Sequence, residues 1–242
     1  MLVITLLFSL FALPNAYHTE FLQRVSTSNR PQILVLISPG WDEQKIAPLL
    51  EHLWMEGFSV WSLRFAKHAQ DLEQMSQSIE EALDKHTNPA VIAHGLSSLA
   101  LLHAHEPIQL HSLAFLGAPI KPFCSPSLKK SLQNHTWDAF ETLPIQYSSH
   151  TFQQLAYTWC EQKLANHDVL EVSHVWSATT NIHPIAPPES IRPHLSPHHR
   201  FVRSGPLALH GREPTAVELI THKPTLEDLS TWLWQKKSWE TP

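Results

Sequence analysis

Between residues 33 and 116 the chain alternates short apolar runs with stretches of helical spacing, which restricts it to a parallel sheet covered by helices. Residues 33–37 are all apolar and rich in β-branched side chains, as in a strand buried on both faces, and Ser38-Pro39-Gly40-Trp41 breaks the run. Ile46, Leu49, Leu50, Leu53 and Trp54 then recur at helical spacing over residues 46–56, and Gly57 stops that helix. A strand over 58–65, a helix over 71–85 with Leu72, Met75, Ile79 and Leu83 on one stripe, and a strand over 90–93 follow. A sharp turn leads to a helix over 97–105, and 110–116 reads as a fourth strand.

From 121 to 167 the alternation stops, and Pro122, Pro126 and Pro144 separate short helical stretches. This segment has the size and place of a helical lid inserted between strands. Residues 169–177 read as a strand, 179–200 as a proline-rich surface loop, 201–204 as the last core strand and 226–235 as a closing helix. The residues preceding 33 divide into an apolar stretch, 1–16, and a polar one, 17–30. The expected organisation is one α/β domain over 17–242 with the lid at 121–167, after a signal peptide over 1–16. Export, to the periplasm or beyond, follows from the apolar core Leu2 to Leu13 and the Pro14-Asn15-Ala16 that could end it. The lack of Lys or Arg before Arg24 argues the other way, leaving a cytoplasmic chain with a buried first strand as the alternative. If the chain is exported, Cys124 and Cys160 could pair; otherwise they are two buried thiols.

Composition excludes several functions. A net charge of −5 offers no basic stripe for nucleic acid, and no other segment could span a bilayer. With only 6 glycines there is no G-x-G-x-x-G or Walker-type loop, so no nucleotide cofactor, or any other, is expected. His194, His198 and His199 have ligand-like spacing, but Pro193 and Pro197 interrupt any helix there, and in a chain of 18 histidines such clusters arise by chance. No metal is expected.

The segment 90–104, AVIAHGLSSLALLHA, resembles the nucleophile elbow of the α/β-hydrolase family, where a strand ends in G-H-S-L-G-G and a helix follows at once. Ala93, His94, Leu96, Ser97 and Ser98 match the positions around the nucleophile, and Gly95 stands where the serine belongs. ILVLISPGW, residues 33–41, is similar to the family strand whose terminal turn helps form the oxyanion hole. The resemblance implies an α/β-hydrolase-like three-layer sandwich of the esterase/lipase type. It also implies an oxyanion-hole and pocket set of Gly40, Trp41, His94 and Leu96. IAPPES, residues 185–190, resembles the loop that carries the triad acid, where Asn181 or His183 now stands. TAVELITHKPTLEDLSTWL, residues 215–233, resembles the terminal segment and puts Ala216 at the triad histidine, with His222 or His210 as base in another register.

On this match the degenerate triad positions are Gly95, His183 and Ala216. Acyl transfer needs a nucleophile, an imidazole and a carboxylate acting together, and glycine supplies no nucleophile. The expectation is a pseudoenzyme whose old pocket binds a small apolar or acyl ligand, or a protein partner. Two alternatives stand beside it: an esterase or lipase with a displaced triad built on Ser97 and His222, and a non-enzymatic structural protein of the envelope. Ser97 sits one turn into the helix, where a serine more readily caps a free backbone N–H than attacks an ester.

Overall fold

The computed structural model describes residues 18–21, 30–38, 43–65, 72–86, 89–95, 97–104, 108–117, 170–179, 199–203 and 218–235. Seven strands form one sheet in the order β1-β3-β2-β4-β5-β6-β7. They are β1 (His18–Phe21), β2 (Gln32–Leu36), β3 (Ser59–Arg64), β4 (Ala90–His94), β5 (Ile108–Leu116), β6 (Leu170–Thr179) and β7 (His199–Arg203). All neighbouring pairs from β3 to β7 are parallel, and β1 alone joins antiparallel, on the outer side of β3. The helices are α1 (Glu43–Met55), α2 (Leu72–Leu83), α3 (Ser97–Leu102) and α4 (Lys223–Gln235), the last preceded by a 3₁₀ turn at Glu218–Ile220.

The strand ending at His94 is central, with three strands on each side, as the elbow resemblance requires. Its five residues are all buried, because both faces of the sheet are covered. One face packs against α1 and α4, where Ile33, Val35, Ile92, Ala114 and Trp176 meet Leu49, Leu53, Leu226, Leu229, Trp232 and Leu233. The indole N–H of Trp176 donates to Asp228 at 2.9 Å, so the largest buried side chain also ties α4 to β6. Among the described residues no helix is long and apolar enough to cross a membrane.

Helix ends explain where the observed bounds depart from the expected ones. The first helix begins at Glu43, ahead of residue 46, and carries Pro48 inside it. There the ring forfeits one bond to the carbonyl four residues back. Gly57 ends this helix in the left-handed region, φ +96°. Its N–H bonds to the Trp54 carbonyl and that of Phe58 to the Leu53 carbonyl, the paired bonds of a Schellman cap. The closing helix starts at Lys223, not 226, since Pro224 lies in its first turn, where no intrahelical N–H is needed. The helix expected over 97–105 stops at Leu102.

The strand β1 corrects the reading of 17–30 as merely polar. His-Thr-Glu-Phe carries no apolar run because it lies at the sheet's edge and owes its place to backbone pairing with β3. The lid at 121–167, the segment 1–16, residues 180–198 of the proline-rich loop and both cysteines lie outside the described residues, while Thr179 belongs to β6 and His199 and Arg200 to β7, not to a loop.

Candidate functional site

The central strand delivers His94 and Gly95 to the carboxyl edge of the sheet, where β4 turns into α3 with only residue 96 between Gly95 and the helix. Gly95 has φ +56°, a conformation open to glycine and strained for other residues. Its N–H continues the ladder to the Leu116 carbonyl at 3.1 Å. Its carbonyl receives the Ser98 N–H at 3.3 Å and the Ser98 hydroxyl at 2.8 Å. The turn is thus held from both sides.

Close approach explains the small residues. Ser97 is fully buried and its hydroxyl lies 2.8 Å from both the Leu36 and the His94 carbonyls, bridging the ends of β2 and β4 to the first turn of α3. It donates to carbonyls; it does not accept from a helix N–H as the sequence had suggested. A hydroxyl held in this way has its proton committed to the backbone. Ser97→Ala is therefore expected to cost about 1–3 kcal/mol in denaturant melts, by leaving buried carbonyls under-satisfied. A variant melting with the wild type would show the bridge to be incidental.

Ser38 was read only as the end of a strand, but the structure brings it against the elbow. A Cβ placed on Gly95 would lie 2.9 Å from Ser38 Oγ and 3.1 Å from Ser38 Cβ. The side chain of Ser38, itself buried, thus fills the volume that the side chain of a nucleophile would enter. The signal was the adjacency of β2 and β4, visible in a parallel alternation but not in local spacing.

His94 is buried to 2 % exposure, and desolvation lowers its pKa to about 4. At neutral pH it is an uncharged imidazole held inside the fold. His222 is also buried, and burial lowers its pKa too. Its Nδ1 meets Thr225 Oγ1 at 2.6 Å, while its carbonyl accepts the N–H groups of Thr225 and Leu226, so it caps the start of α4. The far end of α4 reaches the start of β3, where Trp234 stacks on Phe58 at 4.8 Å. The helix therefore runs from the elbow edge to the opposite one, with His222 on the elbow side. A second hydroxyl–imidazole pair, His52 Nε2 with Ser230 Oγ at 2.6 Å, joins α1 to α4; Ser230 gives its proton to the Leu226 carbonyl. Neither pair involves Ser97 or Ser38.

No family model matches the sequence, and no relative among curated proteins does. Solved structures match closely in shape. An enol-lactonase from Burkholderia xenovorans superposes with a TM-score of 0.66 at 13% identity, covering 92% of this chain and 96% of that one. A thermophilic esterase from Thermogutta terrifontis gives 0.62 at 13% identity, over 92% and 94% of the two chains. A haloalkane dehalogenase loop variant from Bradyrhizobium elkanii gives 0.60 at 9% identity, over 92% and 98%. The chain has the α/β-hydrolase fold.

In α/β-hydrolase folds the nucleophile elbow is a sharp strand-to-helix turn at the carboxyl edge of the sheet, and the turn at Gly95 between β4 and α3 has that place. The structure brings Ser38, Gly95, Ser97 and Ser98 together there. Gly40, Trp41, Leu96, His183, His210 and Ala216 lie outside the described residues.

Proposed function

We propose that this chain is a non-catalytic member of the α/β-hydrolase fold that uses the region of the old active site to bind a small apolar or acyl ligand. The observation that carries the reading is the elbow: a glycine at φ +56° with the Ser38 side chain packed where a nucleophile's Cβ would sit. Hydrolysis by the usual route needs a hydroxyl at that turn, activated by an imidazole. Ser97, the nearest substitute in sequence, spends its hydrogen on backbone carbonyls, and His222 is engaged with Thr225. These bonds weigh against the displaced triad of Ser97 and His222. Use of the same region by a protein partner fits the elbow equally well and differs only in the occupant.

Fluorophosphonate labelling with peptide mapping, run beside hydrolysis of a short-chain p-nitrophenyl ester, decides between binding and catalysis. The expected outcome is no stoichiometric adduct and turnover at the uncatalysed rate, with Ser97→Ala changing neither. An adduct on Ser97, or ester turnover that Ser97→Ala abolishes, would establish an esterase instead. Displacement of a fluorescent fatty acid from the folded chain tests the ligand class.

A further inference from the structure

Away from the elbow, two histidines distant in sequence meet on adjacent strands. The rings of His111 on β5 and His174 on β6 have centroids 4.9 Å apart and planes inclined by 45°. The β5–β6 ladder pairs Leu110↔Val172 and Ser112↔His174 but omits His111; regular alternation would set His111 on the face opposite His174, so the ring contact marks a local departure from it. Both side chains are half-buried, sheltered by the sheet yet open to small solutes. Each has further interactions within the fold. Ligation would use one ring nitrogen of each imidazole, the tautomer being set by what the other nitrogen meets.

Bond lengths allow a check. With metal–nitrogen distances of about 2.0–2.1 Å, each ring centre sits roughly 3.2 Å from a bound ion, so two ligands at angles of about 90–109° place their centroids roughly 4.5–5.2 Å apart. The observed separation falls inside that window. We propose that His111 and His174 form a two-imidazole site for a divalent transition-metal ion of the Ni(II), Cu(II) or Zn(II) type. Imidazole suits these ions, and Cu(II) heads the order of affinity.

Among the described residues no group of three or more His, Cys, Asp or Glu side chains could hold a metal. With two protein ligands and water at the remaining positions, the ion would be exchangeable, unlike that of a closed structural zinc site. His111 lies five residues before Leu116, the partner of His94, which is about 16 Å along the strand. The site is thus remote from the elbow and independent of what binds there. Its effect is to clip β5 to β6.

The test is titration of the full chain with Cu(II), followed by calorimetry and by electron paramagnetic resonance. The expected result is one tightest site per chain with two coordinating imidazole nitrogens. His111→Ala and His174→Ala should each weaken it at least about tenfold and leave one nitrogen. The triple change His194→Ala, His198→Ala, His199→Ala should leave it intact. If either alanine variant fails to fold, His111→Asn or His174→Asn keeps a polar side chain while removing the imidazole. Absence of a saturable site, indifference to both strand histidines, or loss in the triple variant would overturn the proposal.

Discussion

Gly95→Ser is expected to destabilise the protein by about 2–6 kcal/mol and to give no efficient esterase. Two separate costs add. A non-glycine residue at φ +56° carries strain of about 1–3 kcal/mol. The new Cβ also meets Ser38 Oγ at 2.9 Å, and forcing such contacts into a packed region costs about 1–3 kcal/mol more. The second cost is separable. In a double-mutant cycle, Ser38→Gly should remove part of the penalty of Gly95→Ser, giving a coupling energy of about 1 kcal/mol or more. Denaturant melts of the four proteins measure it, and a Gly95→Ser variant within about 0.5 kcal/mol of wild type would refute the packing argument. In the same preparations, p-nitrophenyl ester hydrolysis should remain near background for the single variant. Adding Ala216→His and His183→Asp should raise it, since triad members act as a unit. Strong activity from Gly95→Ser alone would mean that another histidine, His222 or His210, already serves as the base.

Acidification should remove about 3 kcal/mol of stability through His94 alone. Burial holds its folded-state pKa near 4, against an ordinary 6.5 in the unfolded chain. Between these values the unfolded chain binds a proton that the folded one refuses, so stability falls as pH falls. The contribution is whole above pH 6.5, declines through the interval, and is gone near the folded-state value. His222 and His86 are shifted in the same direction, so the His94 share is read by difference. Melts of wild type and His94→Gln from pH 8 to 4.5 should converge as the pH drops. Curves that stay parallel would show that His94 is not the group responsible.

The parallel core was legible because its chemistry is local. An all-apolar, β-branched-rich run as short as 33–37, broken by Ser38-Pro39-Gly40, reads as a strand covered on both faces, and Leu226, Leu229, Trp232 and Leu233 mark one helical face whatever they pack against. The strand–turn–helix at Gly95 was legible for the same kind of reason: a strand that turns at once into a helix needs small residues at Ala93, Ser97 and Ser98, whether or not chemistry follows. What local pattern could not reveal are contacts made through space. The strand β1 is polar and four residues long, and becomes a strand only by pairing with β3. Ser38 looks like an ordinary break after β2 until the order β2-β4 sets it beside Gly95. The two ends of the Ser97 bridge, at Leu36 and His94, come from different strands for the same reason.

The last helix has a consequence for how the chain acquires its structure. Side chains of α4 complete one face of strands β2 to β6, elements laid down much earlier in the chain. During synthesis, the part of that face that α4 covers stays open until residues 223–235 emerge, by which time the central strands can already have paired. Burial of Trp176 on β6 and of Trp232 on α4 belongs to that late step. A late helix serves as the latch on strands made before it.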